Sequence, residues 1–188
     1  MTIAETMHAW APSDAQRAVL AAGDRCVDLY LELSGPVDAQ ALRTAVDTVI
    51  GECHLLHSVF RGDGTGAVRV YETMPVPTEV IVAVGGDPDR FVSSWLAEER
   101  SRALDIGQGP LYRQVLFRLA DDRLGWFQRY HCLINDESGM LAIVARVREV
   151  LDGVRSDPPA SAPFGLIADR LENERRYRES GAWAPDRA

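Results

Sequence analysis

The sequence predicts an α+β fold, a mixed β-sheet flanked by helices, and three observations carry that prediction. Helical and strand-like periods are interleaved along the 188 residues without the strict alternation that marks a doubly wound parallel sheet. Two long apolar runs, 111–119 and 124–133, are separated only by Ala120-Asp121-Asp122-Arg123, so they pair as antiparallel neighbours. Several amphipathic stretches begin at a Ser or Asp that can cap a helix.

In chain order, Ser13 caps a first helix that reaches about Ala22, with Gln16 as the capping-box partner, and Gly23 breaks it. Val27, Leu29 and Leu31 alternate with Asp28, Tyr30 and Glu32, a half-buried strand. Gly35-Pro36 turns the chain. Asp38 then caps a helix whose Leu42, Ala45, Val46, Val49, Ile50 and Cys53 form one apolar face. Short strands at 58–61 and 68–71, joined by Asp63-Gly64-Thr65-Gly66, read as a hairpin. After the prolines at 75 and 77 comes a strand near Val80–Val84. A helix starting at Asp87 or Asp89 follows, with Phe91, Trp95 and Leu96 on its buried side. In the run 124–133, Trp126, Gln128, Tyr130 and Cys132 share one face, and Phe127, Arg129 and His131 the other. Residues 140–151 make a helix apolar almost all round, hence expected to be well buried, and Gly153 ends it. A Pro-rich linker, 154–165, leads to a last helix, strongly charged on one side, within 166–188.

The composition is globular, 46% hydrophobic and 26% charged, and no apolar run is long enough to span a membrane. A net charge of −8 disfavours nucleic acid and anionic membranes as partners. Three widely spaced cysteines and an N-terminus without a secretory pattern point to a reducing, cytoplasmic setting.

The densest chemistry lies in Arg129-Tyr130-His131-Cys132-Leu133-Ile134-Asn135-Asp136-Glu137, where the second long strand gives way to a helix. This stretch resembles the HHxxxDG motif of the condensation domains of nonribosomal peptide synthetases. His131 and Asp136 match; Cys132 stands at the second His and Glu137 at the Gly. Other landmarks fall in the family's order. Ser13-Asp14-Ala15-Gln16 is similar to its S-x-A-Q opening, and Leu56-His57-Ser58-Val59-Phe60 to its L-R-T-x-F. Leu104-Asp105-Ile106 with Gly109-Pro110-Leu111-Tyr112-Arg113 is similar to its "F-D-L … G-P-L-x-R" element. Trp126 to His131 is most similar to siderophore-type synthetases such as enterobactin synthase, and Tyr177 to Asp186 looks like the helix that leads into a second lobe.

The resemblance implies a chloramphenicol acetyltransferase-like single lobe over 1–153, one of two that would enclose a cleft. Met1 is read as a true start, and the end at Ala188, within the inter-lobe region, as a cut. The resemblance further implies that the second motif His acts as base on, or positions, an attacking amine, a role suited to a group titrating near neutrality. Cys132 cannot replace it directly, because a free thiol has a pKa of ~8.5 and is a poor acceptor while protonated. His131 matches the structural His, and Asp136 the organising Asp, read most simply as a helix cap. The Arg that often pairs with that Asp is His57 here. Glu137, His57 and Tyr130 are placed along the substrate tunnel; glycine at the first of these lets a pantetheine arm pass close to the backbone, and Glu adds bulk and charge.

The expected role is therefore structural, in a chain that binds a peptidyl carrier protein or an adenylation or synthetase domain, as a partner complex or a homodimer. No cofactor is expected to be bound directly; phosphopantetheine would arrive on the carrier protein. The alternative is an acyltransferase or amide-forming enzyme completed by a second lobe or chain. Two further chemistries draw on the same residues. Cys132 could serve as a nucleophile, although no partner base is evident. Cys53, His54, His57, His131 and Cys132 could hold zinc, although their spacing matches no finger.

Overall fold

In the computed structural model each of the four α-helices among the described residues opens on a short polar side chain. The structure describes residues 11–36, 38–62, 64, 67–73, 75–83, 86–120, 122–153, 176 and 180. Ser13 and Gln16 form a reciprocal capping box at α1 (Asp14–Ala22). Asp38 caps α2 (Ala39–Glu52), and Asp87, followed by Pro88, caps α3 (Pro88–Ser101). Asp136 caps α4 (Glu137–Leu151), its carboxylate accepting from the Gly139 amide at 2.8 Å. These starts were legible because a cap and the amides it serves lie within three residues of each other.

The main sheet has the order β1-β6-β5-β4, with β1 (Cys26–Ser34), β4 (Glu79–Val82), β5 (Tyr112–Ala120) and β6 (Arg123–His131). β1 and β5 run antiparallel to β6, while β4 joins β5 in parallel across the α3 crossover, so the sheet is mixed as expected. β2 (Ser58–Gly62) and β3 (Val68–Glu72) form the expected hairpin as a separate two-stranded sheet. The hairpin is tied to the 105–109 segment through Phe60 N–H to Ile106 O at 2.7 Å. Gly109, at φ +64, approaches the hairpin so closely that a Cβ would stand 2.7 Å from a Val59 methyl.

Two apolar layers follow from the alternation of β5 and β6. Tyr112, Leu116, Trp126 and Tyr130 face α2 and α4, packing with Leu42, Val46, Val49, Met140, Ile143 and Val147. Val115, Phe117, Leu119 and Phe127 face α3, packing with Val92 and Leu96. Trp95 meets both Phe117 and Phe127 edge-on, at 5.0 and 5.4 Å between ring centroids.

Tertiary packing corrects four expectations. Phe91 is 39% exposed rather than buried, since Val92 and Leu96 are the side chains of α3 that point at the sheet; Phe91 only flanks Phe117. α4 is buried on one side alone: Leu141 is 60% exposed and Leu151 40%, because α2 and the sheet reach only the Met140–Ile143–Val147 stripe. The third strand of the chain's middle section ends at Val82, with position 84 outside the described residues. β6 ends at His131, two residues before its expected end. The linker at 154–165 lies outside the described residues, as does the helix expected within 166–188 apart from Arg176 and Ser180, which share a hydrogen bond of 3.0 Å.

Candidate functional site

The motif begins where β6 leaves the ladder. His131 still pairs with Cys26 across β1, but its Nδ1 accepts from the Leu133 amide at 3.1 Å, and its carbonyl accepts from Ile134 at 3.0 Å. These bonds curl Cys132-Leu133-Ile134 into a turn, so Cys132 is not a member of the Trp126–Gln128–Tyr130 face. The His131 Nε2–H points at Asp24 Oδ1, 3.2 Å away. Both ring nitrogens are thus engaged, Nδ1 as acceptor and Nε2 as donor, which fixes one neutral tautomer. The ring is 2% exposed, and burial lowers its pKa despite the pull of Asp24.

The turn has anchors that the sequence reading did not assign. The Gln16 side chain that completes the α1 capping box also donates from Nε2 to Leu133 O at 3.0 Å. The Cys132 amide donates to Arg25 O at 2.8 Å, extending the β1–β6 ladder by one bond. The Asn135 side chain lies over Gly139 in the first turn of α4, where an added Cβ would require its Oδ1 to move. The S-x-A-Q resemblance pointed at Gln16 without revealing its second bond, which joins residues 117 positions apart.

Cys132 is half-buried at the mouth of the turn. Burial pushes its thiol pKa up; Arg25 opposes this, and the Asp136 and Glu137 carboxylates add to it. The thiol is therefore the resting form at neutral pH, the wrong state for a nucleophile or a base. Asp136 and Glu137 are exposed at the N-terminus of α4, where negative charge suits the helix dipole. A hollow of about 410 Å³ opens beside them, bounded by Cys26, Val27, Asp28, Glu137, Met140 and Leu141.

Two residues expected along a substrate path are interior instead. His57 is 4% exposed in the 3-10 turn His54–His57, with Nε2–H donating to Ile50 O at 2.9 Å and its ring edge-on to Tyr112. The carboxylate of Asp136 serves its own helix, so the two do not reproduce an Arg–Asp pair. Tyr130 is fully buried, and burial holds its phenol far above the ordinary range. It belongs to a buried polar chain: Trp126 Nε1–H donates to Gln114 Oε1, Gln114 Nε2–H to the Tyr130 oxygen, and Tyr130 O–H to Gln128 Oε1, all at 2.8–2.9 Å. The chain satisfies the Trp126 N–H and the Tyr130 hydroxyl, leaves the Gln128 amide nitrogen without a partner, and keeps Tyr130 away from the surface. Among the described residues no group of three or more His, Cys, Asp or Glu converges on a point that could hold a metal ion. No helix among them is long and apolar enough to cross a membrane.

A mixed sheet with helices on both faces thus carries a His-led turn into a capped helix, the arrangement of a single α+β lobe. The sequence profile of the condensation domain matches residues 26–186, and the chain belongs to that family of nonribosomal peptide synthesis. It is 30% identical over 161 residues to a dimodular nonribosomal peptide synthase of Bacillus subtilis, covering 84% of this chain and 7% of that protein. It is 29% identical over 164 residues to enterobactin synthase component F of Escherichia coli, covering 85% and 13% respectively. Enterobactin synthase is thus among its relatives, beside synthetases of other kinds at similar identity. Among solved structures, the starter condensation domain of rhizomide synthetase superposes with a TM-score of 0.78 at 22% identity, over 95% of this chain and 48% of that one. The first condensation domain of the CDA synthetase gives 0.76 at 21%, over 98% and 48%. The chain thus spans about half of these structures and a small fraction of the curated relatives.

Proposed function

We infer that this chain is a condensation-type lobe that does not form amides by itself and serves a structural role, binding a carrier protein or a synthetase domain. The observation that carries this reading is the chemistry at the second motif position. A protonated Cys132 stands there, with the carboxylates of Asp136 and Glu137 raising its pKa. His131 cannot take over the base's task, because its Nδ1 accepts from the Leu133 amide and its Nε2–H is held by Asp24. The residues also fit a phosphopantetheine arm poorly: Glu137 occupies the glycine position with a bulky group of the same charge sign as phosphate. No step is assigned to that arm. The relatives are multidomain synthetases, which supports a carrier or synthetase domain as the partner, in a hetero-complex or a homodimer.

The test is the pair Cys132→His and Glu137→Gly, assayed for amide formation with loaded carrier proteins and a C-terminal lobe supplied in trans. Activity gained only by the double variant supports the inference of a lobe whose motif has lost its base. Turnover by the unaltered chain that disappears in Cys132→Ala overturns it in favour of an acyltransferase completed by a second lobe or chain. Carrier binding without turnover, measured on the unaltered chain, is the expected behaviour.

A further inference from the structure

β4 is an outer strand of the main sheet, bonded in parallel to β5 on one side alone. Each strand residue aims its N–H and C=O to one side, and that side alternates along the strand. The Ala83 amide donates to Arg118 O at 3.0 Å, so Glu79, Ile81 and Ala83 aim at β5. Val80 and Val82 therefore aim theirs outward, where no other strand pairs with them among the described residues. Their side chains stand on the sheet face of Leu116 and Arg118, 39% and 53% exposed, while Ile81 faces the α3 layer. An open edge lined by apolar side chains is a template for another strand. β1, the other outer strand, has no large apolar side chain among the exposed ones.

How few groups are free decides which strand fits. The Thr78 amide is held by Asp47 Oδ1 at 2.7 Å, so the free edge runs from Val80 to Val82. An antiparallel copy crossing at Ile81 sets Val80 of each chain against Val82 of the other. Every outward N–H and C=O of the two valines then finds a partner, the valines pair on one face, and Ile81 meets Ile81 on the other. Crossing at Val80 instead would call on the engaged Thr78. Charge allows the Ile81 crossing even between chains of net charge −8. Glu79, paired with Arg113, comes opposite Ala83 of the copy. Arg118 lies one strand in, and its row continues through Val82 to Val80 and Leu116 of the copy, so the two Arg118 side chains do not meet. An acidic foreign strand would have to reach Arg118 across Val82. A basic one would find Glu79 already on Arg113 and Asp47 on Thr78. A longer apolar strand would leave its own outer groups unpaired, whereas a copy matches the free edge group for group.

We propose that the chain forms a twofold homodimer through β4, its main sheet and that of a second copy joining into one sheet across an antiparallel crossing at Ile81. The interface is short, so the dimer is a weak one. It uses the edge opposite β1, the strand to which the motif turn is bonded through the Cys132 amide and Arg25 O. Its failure therefore leaves the reading of Cys132, and the binding of a carrier or synthetase domain, untouched.

Sedimentation equilibrium on the whole chain, up to millimolar protein, measures the association. Amide hydrogen exchange at low and high concentration locates it. The expected result is a reversible monomer–dimer equilibrium in which the Val80 and Val82 amides exchange more slowly in the dimer. Val82→Pro removes an N–H that is unbonded in the monomer, a change an edge strand tolerates, and should weaken association at least tenfold. The exposed pair Val80→Lys with Val82→Lys sets lysine against lysine across the crossing and should do the same, with an unchanged denaturation midpoint in the monomer. Should either variant lose the native fold, exchange in the unaltered chain decides by itself. Four results each overturn the proposal. They are a monomer at millimolar protein, a folded variant that associates as tightly as its parent, a dimer without slowed exchange at Val80 and Val82, and slowing there that appears only when a carrier protein or synthetase domain is added.

Discussion

His131→Ala tests the structural assignment of the motif's first histidine. The substitution removes two bonds, Leu133 N–H to Nδ1 at 3.1 Å and Nε2–H to Asp24 at 3.2 Å. The Leu133 residue is 3% exposed, so its amide is left without water or acceptor, which costs about 1–3 kcal/mol. The bond to Asp24, whose side chain is 48% exposed, adds at most ~1 kcal/mol. Loss of the buried ring contributes a further ~1 kcal/mol of packing. The expected destabilisation is thus about 2–5 kcal/mol, read as a lowered urea midpoint at pH 7.5 with an unchanged slope. His131→Asn, whose carbonyl can accept from the Leu133 amide, should recover part of it. The pH dependence has a definite sign. Burial lowers the folded pKa below the unfolded value of ~6.5, so below that pH the unfolded chain binds more protons than the folded one. Stability from this group is complete above ~6.5 and is lost as pH falls toward the folded pKa. The part of the acid-side slope due to His131 should vanish in His131→Ala. A variant within ~0.5 kcal/mol of the parent, or an identical pH profile for the two, would refute the reasoning.

Three other outcomes are expected. Gly125→Ala should cost ~1–3 kcal/mol, because the new Cβ would lie 2.5 Å from the Tyr30 hydroxyl and displace a ring that packs on Phe117; Tyr30→Ala in the same chain should remove most of that cost, a coupling that thermal melts can measure. Gln114→Leu should cost ~2–4 kcal/mol by orphaning the buried Trp126 N–H, and Trp126→Phe added to it should cost less than the sum of the two single changes in denaturant titrations. Cys132 should alkylate with iodoacetamide more slowly at pH 7 than an unperturbed thiol and accelerate as pH rises past 9, read by mass spectrometry in a Cys26→Ser, Cys53→Ser background; fast modification at pH 7 would mean a thiolate and reopen the nucleophile reading.

The sequence alone determined what is written in neighbouring residues. Ser13 with Gln16 and Asp38 located their helix starts because a cap and its amides are local; the third start was left between Asp87 and Asp89, of which Asp87 is the cap, and the helix expected over 140–151 begins three residues earlier, at Glu137, on the Asp136 cap. The runs 111–119 and 124–133 with the short turn between them located the central strands to within two residues at each end, and the motif at 131–137 with its ordered companions identified the family that the 26–186 match then established. Only the tertiary structure decided which polar residues are interior and what they do there. The contacts that bury Tyr130, engage Arg129 and join Arg146 of α4 to Glu52 of α2 at 3.1 Å link residues from different elements, up to 94 positions apart. Cys132 left the strand face because the His131 ring, held by Asp24, captures the Leu133 amide. Periodicity says which side of an element a residue takes, but not how far a neighbour covers it: Phe91, with Phe117 on one side, and Leu141 keep much of their surface, and His57 is enclosed because the Ile50 carbonyl and Tyr112 meet it.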